Sequence, residues 1–440
     1  MPKRLFRFER GCHPLTLAVL LCAAGPERAY AQQTFKPLAD VVISPDFSRD
    51  RNVAVRDEAN PDYDALGVLF AGMQAFPSLG VGGGGTSNVY NNGVSKLGDA
   101  YLTFRPSVYV RSDWSRHSVT FQATDDSRRY ASNAPRKQDQ WYTNFSGKLD
   151  VLTDLSVQLD AQAGHFFEAP FASEATSFQQ VLSNYDQRMA GIKSVWTSGR
   201  VRLTGGYDHT SLRFNTLHYA DGTTVSQAYR DRAYDRGFVQ AEYALSPSLS
   251  GFFQMQLEQA SYVEPFAFGT PNRDSTVQRY AAGISFDLAG SVRGAIGLGY
   301  TGRRYRSGFY PYVSGLSGQA EVDVFISPLT TFKLIGQRIV QEATLGNIYA
   351  YIDTRANVSV DHALRRNIII TPFFEIADQQ NIGSDSGRSY VRAGGYVTYQ
   401  MNRNLGLRCD LGYSRVTSRP FSQINGFSEF AGTMAITFRL

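Results

Sequence analysis

The last residues of the chain alternate strictly. Met434, Ile436, Phe438 and Leu440 share one parity, while Thr433, Ala435, Thr437 and Arg439 share the other. A period of two with one apolar face is that of a strand lying between lipid and water. The pattern recurs along the chain: Tyr280, Ala282, Ile284, Phe286 and Leu288 oppose Arg279, Ala281, Gly283, Ser285 and Asp287. Leu405, Leu407, Cys409 and Leu411 likewise oppose Gly406, Arg408, Asp410 and Gly412. From Leu66 onward one plan repeats: a strand, a tight turn, a strand, then a longer polar connection. The spacing predicts strands over 66–83, 99–112, 117–131, 138–150, 155–168 and so on to 405–419 and 426–440.

The connections strengthen this reading. Short reversals such as Ser112-Asp113-Trp114-Ser115, Ser246-Pro247-Ser248 and Asn402-Arg403-Asn404 carry the residues that tight turns need. They alternate with long polar stretches such as 82–98, 168–183, 215–229 and 265–274. Short turns at one rim and long loops at the other are the plan of a transmembrane barrel. The expected fold class is therefore all-β, a transmembrane antiparallel β-barrel of about 18 strands, or about 16 if one hairpin is misread. A soluble secreted sandwich also alternates, but it does not need an apolar face opposite charges in nearly every strand. Gly82-Gly83-Gly84-Gly85 is read as part of an external loop, since no Lys-Ser/Thr follows it as a phosphate-binding loop would require.

The N-terminal segment differs. Lys3, Arg4, Arg7 and Arg10 precede an apolar run from Leu15 to Ala24, and Ala29-Tyr30-Ala31 offers a cleavage site. Residues 1–31 are thus expected to be an export signal, with an apolar run too short to span a bilayer as a helix. Residues 32–65 do not alternate and contain Pro37, Pro45 and Pro61. They are expected to form an arm, periplasmic or tucked into the lumen, ahead of a barrel over 66–440. Removing the signal takes five of the 44 Lys and Arg and two of the 39 Asp and Glu, leaving 39 against 37. The basic balance therefore belongs mostly to the leader, and no nucleic-acid partner is expected. Cys12 and Cys22 leave with it, so Cys409 has no partner for an intrachain disulfide.

Chemistry-bearing motifs are sparse. His117, His165, His209, His218 and His362 are scattered without metal-ligand spacing, and none is paired by sequence with a nucleophile. No catalytic residue, metal site or cofactor is expected. The parity argument instead yields a set of lumen-lining side chains: Arg105, Arg202, Arg279, Arg293, Arg355, Arg392 and Arg408, with Asp287, Glu321, Asp323, Asp353 and Tyr351. A pore selective for simple anions would favour one sign. Mixed charge with inward tyrosines such as Tyr101, Tyr109, Tyr390 and Tyr396 suits a hydroxyl-rich, weakly charged solute, with aromatic faces meeting sugar rings. The partners expected of such a chain are outer-membrane lipid and the barrel-assembly machinery.

One junction carries a more specific signal. Arg56, Pro61, Asp62-Tyr63-Asp64, Gly67, Phe70, Phe76-Pro77 and Asn88-Val89-Tyr90 are followed by Phe104-Arg105-Pro106 and Ser112-Asp113-Trp114-Ser115-Arg116-His117. This series resembles the opening of the putative beta-barrel porin 2 family. The resemblance implies a barrel in the cell outer membrane of the kind often associated with surface-polysaccharide export, and hence periplasmic export components as further partners. It supplies no catalytic residues. A general diffusion porin and a plugged, adhesin-like surface barrel are the alternatives.

Overall fold

A sheet that shows apolar side chains to lipid on every second residue cannot leave an edge in the bilayer, because unpaired N–H and C=O groups there find no water. Closure is the solution this chain adopts. The computed structural model describes residues 53–171, 179–219, 221–266, 269–288, 290–343, 348–419 and 426–440. The expected signal over 1–31, residues 32–52 of the arm, and Ala289 of one turn lie outside the described residues.

Among the described residues, eighteen long strands form one closed antiparallel sheet. In chain order they are β1 (Met73–Thr86), β2 (Asp99–Ser112), β3 (Ser118–Tyr130), β4 (Gln138–Asp150), β5 (Leu155–Phe167) and β6 (Asn184–Ser198). Next come β7 (Val201–Phe214), β8 (Arg232–Ser246), β9 (Leu249–Tyr262), β10 (Ser275–Leu288), β11 (Val292–Tyr305) and β12 (Val313–Ser327). The last six are β13 (Thr330–Glu342), β14 (Ala350–Arg365), β15 (Ile368–Asn381), β16 (Gly387–Gln400), β17 (Leu405–Ser418) and β18 (Phe427–Arg439). Each strand pairs with its sequence neighbours, and β1 pairs with β18 from Ser78↔Arg439 to Thr86↔Ala431 to close the ring. The eighteen-strand reading of the sequence holds.

The two faces separate as the alternation requires. On β9 the outward series Leu249, Gly251, Phe253, Met255 and Leu257 gives way to Gln259 and Ser261, and on β10 Leu288 to Tyr280 gives way to Gln278 and Thr276. Phe253, Leu257, Ile284 and Leu288 are all more than 40% exposed. Nine residues rising about 3.3 Å each and tilted about 40° give an apolar belt of roughly 20–25 Å, matching a bilayer core. The polar ends of the outward faces lie at the long-loop rim.

The first strand departs from expectation. The chain reverses at Ala71 and Gly72, both at positive φ (46° and 73°), so Val68–Phe70 folds back to pair with Met73–Ala75. This short piece takes the edge of β1 just beyond the last residue of β18, where the Leu440 N–H donates to the Pro77 carbonyl at 3.2 Å. The barrel wall proper therefore starts at Met73 and runs to Thr86, not over 66–83. Gly82 to Gly85 consequently lie inside β1 rather than in an external loop. The reason is close approach: a Cβ on Gly84 would sit 2.2 Å from the Gly432 carbonyl oxygen and 2.8 Å from the Tyr101 ring. One on Gly82 would sit 2.6 Å from the Met434 carbonyl oxygen. Glycine here lets the closing strand β18 and the Tyr101 side chain pack on β1.

One stretch of wall overlaps itself. The β12–β13 ladder ends at Gly318↔Arg338, so the β13 tip has no rung to Val313–Ser317. The tip leans inward instead. Val340 comes up against Gly315, and Glu342 reaches Arg303 of β11 at 3.1 Å, so outward-parity side chains of β13 pack on the inner face of β11 and β12. Tyr305, Tyr310, Val313, Val340 and Ala350 bury together at this overlap.

Candidate functional site

The inner wall is a mosaic of neutralised charge. Its side chains come from the inward parity of each strand, and the antiparallel register sets opposite signs side by side. Arg293 donates to Asp323 at 2.8 Å, with Lys333 3.8 Å from the same carboxylate. Asp287 lies in register with Arg293. Arg279 donates to Glu258 at 3.0 Å, and Arg236 to Asp208 at 2.7 Å. Arg355 pairs with Asp353 on its own strand, Arg408 donates to Asp410 at 2.7 Å, and Arg392 donates to Glu375 at 2.8 Å. The Tyr351 hydroxyl donates to Gln341 at 2.7 Å.

The register places all of the candidate lumen residues on the face opposite the exposed apolar belt. It brings Arg293, Asp287 and Asp323 together, and Arg355 with Asp353. Glu321 stands opposite Ala295 and Ile335, and Arg202 opposite Glu242. Arg105 stands alone from these clusters, where the β2–β3 ladder skips from Phe104↔Ser127 to Ser107↔Thr124 beside Pro106. Glu375, Glu342 and Arg303 were missed by sequence reasoning. Glu375 sits beside Phe373-Phe374, where the alternation is irregular, and Glu342 has outward parity on a tip that leans inward.

The inward tyrosines are not bare platforms. Tyr396 carries the Arg408 guanidinium 3.7 Å from its ring centroid, and Tyr101 carries that of Arg128 at 4.4 Å. The Tyr390 ring packs 5.1 Å from Phe171, and its hydroxyl donates to Glu375 at 2.8 Å. Their faces are occupied by the protein itself, so the reading in which sugar rings stack on them is replaced by contact with paired charges.

Among the described residues, two segments enter the barrel interior. At the long-loop end, Glu168 leaves β5 in a buried ion pair with Arg230, both side chains 2% exposed. Ala169 and Phe171 then pack against Ala377, Tyr390, Val416 and Phe427, which belong to β15 through β18 on another side of the ring. The segment thus crosses the lumen, and the Phe171 ring lies 4.8 Å from Arg392. Arg136, in the β3–β4 connection, donates to the Val89 and Gln179 carbonyls; burial lowers its pKa to about 10.

At the short-turn end the arm enters. Ala54 and Val55 are buried, the Val55 N–H donates to the Thr331 hydroxyl at 3.1 Å, and Arg56 pairs with Asp361 at 2.7 Å. Asp57 follows. Burial pushes its carboxyl above the ordinary range, with Lys333 and Arg293 opposing and Asp323 and Asp361 reinforcing that shift. A carboxyl raised in the docked state contributes to docking most when protonated, and this contribution is lost as pH rises through the raised value. The arm is therefore expected to be held more firmly in mildly acidic than in neutral buffer. Hydrogen exchange over 53–60 should slow as pH falls, after correction for intrinsic rates, and Asp57→Asn should remove that dependence.

The histidines stand apart. His165 and His209 lie on the outward face beside Asp186 and Asp235, each at 2.8 Å, and His362 contacts Thr330 at 3.0 Å.

A family model described as putative beta-barrel porin 2 matches residues 60–438. No curated protein matches the chain. Among solved structures, it is similar to the BenF-like porin from Pseudomonas fluorescens Pf-5, at 11% identity over 85% of this chain and 100% of that one, TM-score 0.46. The outer membrane protein OpdK from Pseudomonas aeruginosa gives 11% identity over 83% and 98%, TM-score 0.42. OccAB3 from Acinetobacter baumannii gives 9% over 84% and 100%, TM-score 0.45. These likenesses concern the barrel alone.

Proposed function

The chain belongs to the putative beta-barrel porin 2 family, and from that premise we propose that it is a passive, non-enzymatic conduit of low charge selectivity in the outer membrane. Its cargo is neutral or weakly charged and hydroxyl-rich, and its cellular use is the export of surface polysaccharide. The observation that carries this reading is the pairing of inner-wall arginines with carboxylates one strand away or on the same strand. Opposite charges held within hydrogen-bond distance leave little net field for a passing ion, yet offer donors and acceptors to hydroxyl groups. Lipid and the barrel-assembly machinery are the partners of insertion, and periplasmic polysaccharide-export components those of transport.

The test is electrical and then cellular. Purified barrel in planar bilayers should conduct with a cation-to-anion permeability ratio near one, and liposomes carrying it should swell in neutral sugars. Replacing Arg279, Arg293, Arg355 and Arg392 together with glutamine leaves Glu258, Asp323, Asp353 and Glu375 without these partners, so selectivity should move toward cations. A deletion strain should secrete less polysaccharide while taking up small solutes normally. Strong anion selectivity in the wild type would overturn the low-field argument.

The two segments inside the lumen favour a second reading, a barrel held shut. It becomes the better account if the protein stays non-conducting even after residues 32–60 are removed.

A further inference from the structure

The inner wall carries a corner that holds a guanidinium group, supplied by the arm. Asp361, at the short-turn end of β14, is 5% exposed; Thr371 on β15 is 1% exposed; Tyr396 on β16 is 4% exposed. The Thr371 hydroxyl donates to Asp361 Oδ1 at 2.6 Å, which fixes the carboxylate and turns the hydroxyl's lone pairs outward. Into this corner Arg56 places Nε 2.7 Å from Asp361 Oδ1 and donates Nη2 to Thr371 Oγ1 at 3.1 Å. Its guanidinium carbon sits 4.3 Å from the centroid of the Tyr396 ring, which also carries the Arg408 guanidinium at 3.7 Å. A planar cation thus meets a carboxylate, a hydroxyl and an aromatic face at once, a combination that suits guanidinium and discriminates against ammonium.

We propose that this corner is a guanidinium-binding site whose resident ligand is the tethered Arg56, and that its occupation latches the arm inside the short-turn mouth of the barrel. The neighbouring contacts fit a latch. Val55 is anchored through its N–H to Thr331, while after Asp57 the chain turns outward, with Asn60 donating to the Arg366 carbonyl at 2.6 Å. Arg403 donates to the Pro61 carbonyl at 2.7 Å, so the rim holds the exit of the arm and Arg56 holds the described part of it further inside. Tethering gives the arginine a millimolar effective concentration at its site, so a free competitor must exceed that level.

The experiment uses the full chain carrying Val55→Cys in a background with Cys12, Cys22 and Cys409 all replaced by serine, folded in detergent, and follows the rate of thiol labelling at position 55. Val55 is 6% exposed, so labelling should be slow while the arm is latched. Adding Arg56→Ala should raise the rate about tenfold or more, because the docked segment then opens freely. Arg56→Lys should resemble alanine rather than arginine. Adding about 50 mM methylguanidinium to the otherwise wild-type barrel should accelerate labelling, while equal methylammonium should not. Asp361→Asn should remove the difference between the two cations. Heat-modifiability on gels checks in each case that the barrel has closed. An unchanged rate in Arg56→Ala, or equal action of the two cations, would overturn the proposal. Labelling needs no ion flow, so a barrel that never conducts would sink the conduit reading and leave this one standing.

Discussion

A chain lacking Thr437 to Leu440 is expected to yield no heat-modifiable barrel in the outer membrane. These four residues hold the short-turn end of the closing seam. Thr437, Phe438 and Arg439 stand opposite Gly80, Leu79 and Ser78 on β1, and Phe438 and Thr437 also stand opposite Leu405 and Gly406 on β17. Arg439 further locks the turn before β17: its N–H donates to the Asn404 carbonyl at 2.8 Å, and Asn404 Nδ2 donates to the Arg439 carbonyl at 2.9 Å. Truncation strips partners from two strand edges at once, and the unmet groups on the side toward the bilayer core cost several kcal/mol each because no water replaces them there. The loss is comparable with the ~5–15 kcal/mol by which proteins of ordinary stability stay folded. A deletion of equal length in the long connection after β1, Gly93 to Lys96, removes exposed residues and should leave assembly intact. Normal amounts of folded barrel after the C-terminal truncation would mean that closure does not depend on this seam.

The wall was legible in the sequence because what builds it is local. A strand's facing is decided by the residue next door, and a reversal by Gly, Pro, Asn, Asp or Ser within four positions. Hence the ranges expected at 99–112 and 138–150 match β2 and β4 to the residue. What the pattern could not carry is contact between distant parts of the chain. Gly82 to Gly85 read as a loop because four glycines offer no alternation; their strand state comes from β18, some 350 residues away, pressing on them. Glu342 and Val340 have the parity of lipid-facing residues and become inward-packed because the whole β13 tip tilts.

The same divide runs through the candidate site. Arg279, Arg293, Arg355 and Arg392 could be assigned to the lumen from parity alone, whereas not all of their partners could be. Asp323 and Asp353 were in the set, but Glu375 was not. Phe171 and Arg56 lie in segments without periodicity, and what they do follows from where a closed ring lets a loop and an arm reach. The proline breaks around Arg56 signalled that the segment was no strand. They could not signal that it meets a carboxylate, a hydroxyl and a tyrosine on β14, β15 and β16.

The sharpest test of facing and depth uses one strand. Ile284 is the central outward residue of β10, with Phe286 and Leu288 toward one rim and Ala282 and Tyr280 toward the other, and it is 43% exposed. Ile284→Arg should destabilise the folded barrel by ~2–4 kcal/mol, because a guanidinium at the midplane must be buried in hydrocarbon or drag water and headgroups inward. Gln278 shares its face and strand but lies six residues nearer the long-loop rim, beyond the apolar belt, so Gln278→Arg should cost only ~0–1 kcal/mol. Ile284→Leu should stay under about 1.5 kcal/mol, since volume and polarity barely change. Reversible urea unfolding in lipid vesicles, read by intrinsic fluorescence, would measure all three. A large Ile284→Arg effect with a small Gln278→Arg effect requires both the facing and the depth argued here. Equal effects would mean that the belt is misplaced along the barrel axis, and a harmless Ile284→Arg that the parity of β10 is inverted.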